Sequence, residues 1–397
     1  MDFRTNTEPN KKNKHRPLYL DTNLQIIFGV TLMAVLGVSS ITPAFPVIVK
    51  DLDISPQSIG LLITVFTLPG IFLTPVLGAL ADRVGRKRIL IPSMMVFGIA
   101  GGACALVRDF QFLLFLRFFQ GVGAASLGSL NVTIIGDLYS GNERTTAMGY
   151  NASILSVGTA SYPAIGGVLT ALGWHYPFFL PIAAVPLGIL VLFSLKNPEP
   201  KNKQDFRQYL SRAWKSLKRT QVVVLLIAIS ITFVILYGAY LTYFPILLSH
   251  KFKASPLVIG LIMSVMSFTT AITSSQLGKI AGTFPKKNLI KAAYIIYGAA
   301  LVIFPFVPVL WLLLIPAVVF GIAHGMNIPS IQTCLAELAP IEYRAAFMSV
   351  NGMVLRLGQT LGPVFMGLIF AVWGIKGAFF AGAGFSAAAF LMLILVK

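Results

Sequence analysis

The stretch Gly78-Ala-Leu-Ala-Asp82-Arg83-Val-Gly85-Arg86-Lys87-Arg88 decides the fold class of this chain. It places five charged residues between two apolar runs, each of which is long enough to cross a lipid bilayer. Hydrocarbon does not accommodate such a cluster of charges. The segment is therefore predicted to be a short loop at a membrane surface, and the runs on either side are predicted to be membrane-spanning helices.

The composition extends this prediction to the whole chain. Of its 397 residues, 56% are hydrophobic and 11% are charged, whereas soluble domains carry about 25% charged residues. Apolar runs of about 20 residues, the length that crosses a bilayer as a helix, recur along the sequence. We predict an all-α membrane protein with twelve transmembrane helices, at roughly residues 20–49, 56–79, 89–107, 110–137, 145–171, 176–195, 221–248, 256–278, 289–308, 310–337, 345–371 and 377–396.

The basic residues indicate how these helices are oriented. The formal net charge is +18, but the cations follow the loops. With the amino end inside the cell, 24 of the 31 Lys and Arg residues fall in the tail and the inside loops, 5 fall outside, and Arg117 and Arg356 lie within spans. Because cytoplasmic loops carry an excess of Lys and Arg, both termini are predicted to be cytoplasmic. Topology explains the basic charge, and no nucleic-acid partner is predicted.

The sequence repeats itself at a constant offset of 200 residues. Ser55-Pro56 and Ile59-Gly60-Leu61 return as Ser255-Pro256 and Ile259-Gly260-Leu261. The segment between the repeats is polar and basic, with apolar residues at helical spacing, which favours a short amphipathic helix on the membrane surface. We predict a cytoplasmic tail at 1–19, six-helix halves at 20–196 and 221–397, and a cytoplasmic linker with this helix at 197–220.

The charged stretch also resembles a family signature. The pattern G-x-L-x-D-R-x-G-R-K/R lies between helices 2 and 3 of the major facilitator superfamily, and residues 78–87 match each of its positions. In span 4, Arg117-Phe-Phe-Gln120-Gly121-Val-Gly123-Ala-Ala is similar to a second pattern of that family, R-x-x-Q-G-x-G-A-A. The resemblance implies the major facilitator fold, with twelve transmembrane helices in two six-helix repeats and a substrate site near the bilayer midplane between them.

A third pattern resembles one branch of this family. In span 5, Gly158-Thr-Ala-Ser-Tyr162-Pro163-Ala-Ile-Gly166-Gly167 is similar to G-x-x-x-G-P-x-x-G-G, which marks the twelve-helix drug:proton antiporters. Tyr162 replaces the second glycine of the pattern. Proline kinks a helix and glycine lets a neighbouring helix approach closely, so packing of small residues is an alternative explanation for the motif.

Charged residues at the cytoplasmic ends of the spans form two pairs with the same spacing. Asp137 precedes Arg144 by seven residues, and Glu337 precedes Arg344 by seven residues. In the family that the chain resembles, such pairs brace the inside gate. We therefore expect both pairs to take part in gating.

The signature stretch is expected to join this brace. Asp82 can lie against the amino end of span 11, where the helix dipole and free N–H groups favour an anion. Arg83 and Arg86 can meet Asp137 across the loop. The predicted gating and conformational residues are Gly78, Asp82, Arg83, Gly85, Arg86, Asp137, Arg144, Gly158, Pro163, Gly166, Gly167, Glu337 and Arg344.

The middle of the spans contains cations and polar groups but none of the 13 acidic residues. Arg117 needs a partner or a wet cavity, and the alternative is that carbonyl groups of neighbouring helices satisfy it. His324 can titrate near neutral pH, and the alternative is a histidine that is hydrogen-bonded for packing. The residues predicted to line a substrate or coupling cavity are Arg117, Asn131, Tyr237, Tyr240, His324, Asn327, Arg356 and Gln359.

These features favour a secondary transporter that works by alternating access in the cell inner (plasma) membrane. Motif resemblance favours proton-coupled efflux of amphipathic small molecules, as in multidrug exporters. The arginine-bearing interior favours the alternative, a carrier of anionic metabolites or lipids. We expect a monomer that meets its small amphipathic substrate and membrane lipids, with a proton gradient as driving force. No catalytic group, metal site or cofactor is expected, because the sequence has no nucleophile–base set, metal-ligand spacing or phosphate loop.

The positive-inside distribution generates a topology prediction. A cysteine introduced at residues 197–203 and another at the carboxyl end should both be protected from a membrane-impermeant thiol reagent in intact cells, and both should react after permeabilisation. Labelling of both positions in intact cells would overturn the predicted orientation.

Overall fold

The computed structural model describes residues 17–196, 218–339 and 344–395, and they are almost entirely helical. Within these ranges, eleven helical stretches are long and apolar enough to cross a membrane. The first ten are α1 Thr22–Asp51, α2 Leu61–Val84, α3 Arg86–Cys104, α4 Phe110–Leu138, α5 Gly141–Leu172, α6 Tyr176–Ser194, α7 Thr220–Phe252, α8 Pro256–Thr283, α9 Lys286–Phe306 and α10 Leu310–Leu338.

The last stretch, Arg344–Leu395, contains two membrane passes. Its helical dihedrals are broken at Gly374, where φ is 64° and ψ is −165°. The rings of Phe365 and Phe385 lie 6.3 Å apart, although twenty residues of straight helix would separate them by about 30 Å. The chain therefore folds back at Gly374, into α11 at 344–373 and α12 at 375–395. This confirms the predicted all-helical fold of twelve spans.

The described residues bury two hydrophobic clusters. One takes its members from α1 to α6, together with Ile246 of α7. The other takes its members from α7 to α12. Each cluster is the core of a six-helix bundle, called here the first half and the second half. The tail before residue 17 and the amphipathic helix predicted in the linker, whose apolar positions fall within 197–217, lie outside the described residues.

The charged signature stretch contains a tight glycine turn between two helices, and the predicted short loop is reduced to one residue. α2 continues to Val84 and α3 begins at Arg86, so Gly85 alone separates them. Gly85 has a φ of 107°, which residues with a Cβ atom rarely adopt. The five charges consequently lie on the last turn of α2 and the first turn of α3, and their side chains project from fixed helical positions.

The 200-residue repeat is visible in hydrogen bonds as well as in helix order. In the first half, Thr74 donates to the carbonyl oxygen of Ala125 at 2.8 Å. In the second half, Ser274 donates to the carbonyl oxygen of Gly325 at 3.1 Å. Thr74 and Ala125 therefore correspond to Ser274 and Gly325 at the offset of 200. The α2–α4 and α8–α10 contacts are therefore equivalent, as expected for parallel repeats.

The two faces of the molecule differ in how the halves meet. The terminal face carries the ends of the described chain and the Gly85 turn, and the distal face carries the turns at Gly173 and Gly374. On the distal side α2 meets α11, where Thr64 donates to the carbonyl of Thr360 at 3.0 Å. On the same side α5 meets α8, where the backbone N–H of Ala164 donates to Ser264 at 3.0 Å.

Glycines on these four helices show that the contact ends towards the terminal face. A Cβ atom at Gly167 would lie 2.5 Å from the carbonyl oxygen of Pro256, so the helix backbones nearly touch there. Each of the four helices also has a glycine nearer the terminal face. A Cβ atom added there would have no neighbouring atom within 4 Å, which holds for Gly78 of α2, Gly149 of α5, Gly278 of α8 and Gly352 of α11. The halves are joined on the distal side and diverge into a cleft that opens at the terminal face.

The distal contact generates a prediction with a matched control on one helix. A Cβ atom at Gly260 of α8 would overlap the carbonyl oxygen of Pro163, whereas one at Gly278 meets open space. Gly260→Ala should force the halves apart, at a cost of roughly 1–3 kcal/mol for overpacking. Thiol labelling of Ser264→Cys from the distal side should rise about tenfold with Gly260→Ala and stay unchanged with Gly278→Ala. Equal labelling in both variants would contradict the inferred closure.

Candidate functional site

The closed end of the cleft contains Arg356, half-buried on α11. Its side chain lies against Gly70 of α2, where a Cβ atom would stand 2.7 Å from Nη1. Just distal to it, Thr67 and Thr360 share a hydrogen bond of 2.8 Å across the halves. Glycine at residue 70 therefore gives the guanidinium its space, and the threonine contact closes the cleft behind it.

A π-helical segment of α7, Ile235–Tyr243, faces this arginine. Such segments are rare and are frequently found at functional sites. Its Tyr237 hydrogen-bonds Gln359 and interacts electrostatically with Arg356. Arg356, Gln359 and Tyr237 are called here the seam cluster. Because the cluster takes residues from both α7 and α11 beside α2 of the other half, a change in the packing of the halves must alter it.

The seam cluster is positive. The ion pairs found among the described residues join Arg86 to Asp82 and Asp137, and Lys286 to Glu337, so none of them includes Arg356. In the described structure, its recorded electrostatic contact is with the phenol of Tyr237, which is not an acidic group of the Asp or Glu kind. The cluster can therefore receive an anionic or neutral polar group of a ligand, while the aromatic ring of Tyr237 can pack against an apolar part.

Arg117 does not lie in the cleft, which corrects its predicted place in the cavity. It is completely buried and donates to the carbonyls of Gly37 and Leu62 at 2.9 and 3.1 Å and to Gln120 at 2.7 Å. Its guanidinium also lies 4.2 Å from the ring centre of Phe66. These partners belong to α1, α2 and α4, so Arg117 ties three helices of the first half together. Neighbouring carbonyls and Gln120 thus bind Nε and Nη1, whereas the buried Nη2 has no hydrogen-bond partner among the described residues.

Two predicted cavity asparagines are also buried inside the halves. Asn131 donates to Thr31 and, at 3.3 Å, to Asn151, and it is 3% exposed. Asn327 donates to Thr232 at 2.7 Å and is fully buried. Each asparagine cross-links helices of its own half and is buried there.

The two tyrosines of α7 that were predicted to line the cavity, Tyr237 and Tyr240, lie in different environments. Tyr240 is 1% exposed, with its ring 4.8 Å from Phe244 and 4.9 Å from Phe320, so it belongs to the core of the second half. Tyr237 alone reaches the interface between the halves. Helical periodicity could not separate the two, because the π-helix alters the rotation between them.

His324 lies between the core of the second half and the cleft. Its Nδ1 is 2.6 Å from the hydroxyl of Tyr297, and its ring meets that of Phe233 edge-on at 6.4 Å. The tyrosine hydroxyl can donate to a neutral imidazole or accept from a protonated one. The contact therefore supports either protonation state.

At the terminal face, Asp137 is held by Arg86, one of the two arginines predicted to reach it. Arg86 donates to Asp137 at 3.1 Å and also binds Asp82. The predicted contact between Arg86 and Asp137 is present, whereas Arg83 is exposed and makes no ion pair in the described structure. The predicted contact of Asp82 with the amino end of span 11 involves residues around 340–346, whose side chains are not described, and it stays a prediction.

Arg144, which shares a spacing with Asp137, makes no ion pair with it in the described part of the chain, and the gating role of both residues stays a prediction. Arg144 donates to the carbonyls of Gly136 and Tyr139 at 2.8 and 2.9 Å, so it caps the end of α4. Tyr139 donates to Asp21 at 2.7 Å, and burial followed by this bond raises the pKa of Tyr139 above its usual range. The hydroxyl thus stays protonated and links the ends of α1 and α4.

The second half contains an ion pair that the sequence reasoning missed. Lys286 binds Glu337, and these residues are the equivalents of Arg86 and Asp137 at the offset of 200. The repeat was the signal that could have revealed it. The side chain of Arg344, the predicted partner of Glu337, lies outside the described part of the chain.

The α5 motif lies at the contact of three helices. Its first glycine, Gly158, faces Leu32 of α1, and Gly166 faces the backbone of Ser40, also in α1. Gly167 and Pro163 face α8 across the boundary between the halves. The motif therefore provides the close backbone packing that closes the distal side.

Two parallel six-helix repeats, joined on one side and separated on the other around a polar cluster, have the architecture of a secondary transporter. A family model described as Major Facilitator Superfamily matches residues 27–251 and 237–397. The chain belongs to the major facilitator superfamily, and it is a multi-pass membrane transporter of that family.

Known relatives agree with this assignment. Over 354 residues the chain is 28% identical to "Multidrug resistance protein 2" of Bacillus subtilis, covering 87% of this chain and 88% of that protein. It is 26% identical over 358 residues to the "Bacillibactin exporter" of the same organism, covering 86% and 88%. The crystal structure of the nucleoside transporter NupG (D323A mutant) superposes with a TM-score of 0.81 at 14% identity, covering 96% of this chain and all of that one. The resemblance to the drug:proton antiporter branch is confirmed by the multidrug-resistance relatives.

The terminal-face contacts generate a prediction with a neighbouring control. Arg86→Ala removes two charge-assisted hydrogen bonds, each worth roughly 1.5–3 kcal/mol and less where solvent screens them. Transport should fall about tenfold while the amount of inserted protein is unchanged. Arg83→Ala, which removes the same charge from an exposed side chain in the same turn, should transport normally. Transport rates in vesicles, normalised to protein, measure both; equal losses would show that total charge matters and not the ion pair.

Proposed function

We propose that this chain is a proton-driven exporter of amphipathic small molecules, with both termini in the cytoplasm of a cell whose plasma membrane it spans. The observation that carries this proposal is the cleft between the halves, which opens at the terminal face and ends at the seam cluster. The excess of Lys and Arg on the terminal side supports a cytoplasmic assignment of that face. The names of the multidrug-resistance and exporter relatives support export.

Substrate recognition follows from the seam cluster. An amphipathic molecule that enters from the terminal face places its apolar part against Tyr237 and the neighbouring Phe233, whose rings lie 5.9 Å apart. Its polar part then competes for the hydrogen bond between Tyr237 and Gln359. Few polar contacts and a broad aromatic surface select for amphipathic character more than for one exact structure.

Release on the distal side requires the halves to separate there. This breaks the bonds of Thr64 and Thr67 with Thr360 and that of Ala164 with Ser264. Neutral hydrogen bonds contribute about 0.5–1.5 kcal/mol each, so these three bonds together contribute only a few kcal/mol to the distal closure. New contacts at the terminal face can offset such a difference, which is the condition for two interconverting states.

Protons are the proposed driving force, and three groups are candidates to carry them. His324 is hydrogen-bonded near the cleft, while Asp137 and Glu337 are in ion pairs at the terminal face. Protonation of either carboxylate would break its ion pair and so would couple directly to the packing of that face. The protein is proposed to work as a monomer without a cofactor or a catalytic reaction.

The proton-driven mechanism is tested by export into vesicles under an imposed pH gradient. If His324 carries the proton, His324→Gln should flatten the dependence of export on pH, while Asp137→Asn and Glu337→Gln should keep its shape. If a terminal carboxylate carries it, the matching carboxylate variant should flatten the profile. Export that ignores the pH gradient in the unmodified protein would overturn proton coupling and leave the fold assignment intact.

The positive seam cluster favours a second candidate function, transport of anionic metabolites or lipids. Arg356 has no acidic partner among the described residues, and at such a site a lipophilic cation is repelled. The two candidates therefore differ in the charge of the preferred substrate.

Substrates of matched size and different charge separate these candidates. Arg356→Gln should reduce transport of an anionic amphiphile about tenfold and raise that of a cationic one, because it removes the unpaired charge, whereas Arg356→Lys should keep the original preference. Initial rates in vesicles for an anionic, a neutral and a cationic fluorescent amphiphile provide the measurement. Fast export of the cation by the unmodified protein, with no change in Arg356→Gln, would contradict the electrostatic argument.

A further inference from the structure

A second cleft, separate from the seam cluster, lies inside the second half at the terminal face. It has a volume of about 180 Å³ and is bordered by the ends of α7, α9, α10 and α12. Because a water molecule occupies about 30 Å³ of liquid, this space is much larger than a single water site. It is called here the α9 cleft.

The walls of the α9 cleft combine apolar residues with two lysines. Val224, Leu225 and Ile290 are buried and form its floor. Lys287 and Lys291 stand one helical turn apart on α9 and therefore project from the same face. Two like charges at this spacing repel each other in the empty cleft, and an anion between them would remove that repulsion.

Neither lysine is neutralised by the described residues. Glu337 also borders the cleft, but it is bound by Lys286. Lys287 and Lys291 make no ion pair or hydrogen bond in the described structure. The cleft therefore keeps a net positive charge next to an apolar floor.

The repeat shows that this arrangement is specific to the second half. Lys87, the equivalent of Lys287 at the offset of 200, donates to the carbonyls of Leu192 and Leu195 at 2.9 Å each. The lysine of the first half thus caps α6. In the second half Lys287 makes no corresponding bond to α12 among the described residues, and Lys291 replaces an apolar Ile91.

We propose that the α9 cleft binds the headgroup of an anionic phospholipid from the leaflet on the terminal side. The phosphate would lie between Lys287 and Lys291, and the glycerol backbone would rest on the apolar floor. Basic pockets between helices near a membrane surface recognise such headgroups. A water-soluble anion would use the lysines but gain nothing from the apolar floor, so the two features together favour an amphiphile.

The linker of this chain is a poor rival occupant. Residues 197–217 contain five Lys or Arg and two Asp or Glu residues, so their net charge has the same sign as the cleft. Charge complementarity therefore favours the lipid.

The test measures lipid binding to the full-length protein in mild detergent. Native mass spectrometry compares phosphatidylglycerol with phosphatidylcholine of identical acyl chains, and a separate titration uses soluble glycerol phosphate. We expect preferential retention of phosphatidylglycerol. Lys287→Gln combined with Lys291→Gln should weaken this retention tenfold or more, and the corresponding pair of Arg substitutions should preserve it.

Matched variants make the result specific to the cleft. Arg88→Gln with Lys279→Gln removes two exposed charges from the same face outside the cleft, and retention should not change. Leu393→Trp fills the cleft while keeping both lysines, and retention should fall. The proposal is overturned if the Lys287/Lys291 variant retains phosphatidylglycerol normally, if phosphatidylcholine binds equally well, or if glycerol phosphate alone binds as tightly as the lipid.

Discussion

A charge within a membrane must find partners or water, and the arrangement of this molecule depends on how each charge meets that requirement. Arg117 meets it with carbonyl groups and Gln120, and thereby fastens α1, α2 and α4 together. Arg356 meets it at the boundary between the halves, beside Gly70 and Tyr237. The contacts of Arg117 lie within one half and stabilise that half. The contacts of Arg356 include the other half and therefore depend on how the two halves are packed.

The same requirement explains why different kinds of contact are found on the two sides of the membrane. On the distal side the halves are held by close backbone packing at glycine and by neutral hydroxyl and amide hydrogen bonds. On the terminal side the charged residues pair within each half, through Arg86 with Asp137 and Lys286 with Glu337. Contacts of the first kind depend on fit and contacts of the second kind depend on charge, so the two sides of the molecule are held by chemically different interactions.

Much of the fold was predictable because it follows from short-range rules. Apolar length gave the twelve spans, the offset of 200 gave the two repeats, and the signature stretch gave the family.

The roles of single polar residues were harder to predict. Arg117 and Arg356 look alike in sequence, and only the rotation of their helices decides which of them is enclosed by carbonyl groups. Tyr240 was misplaced for the same reason, since the π-helix of α7 breaks the 3.6-residue period. The capping role of Arg144 was also hidden in the sequence, because its side chain binds the backbone carbonyls at the nearby end of α4.

The π-helical segment of α7 has a geometric consequence for the transport cycle. Its hydrogen bonds enclose one more residue per turn than those of an α-helix, so rewinding Ile235–Tyr243 as α-helix would rotate everything beyond it about the helix axis. Tyr237 at one end is bonded to Gln359, and Tyr243 at the other reaches the carbonyl of Gln57 in the first half at 3.4 Å. Both bonds cannot survive such a twist. A change between π-helical and α-helical winding in α7 would therefore change the contacts that join the two halves.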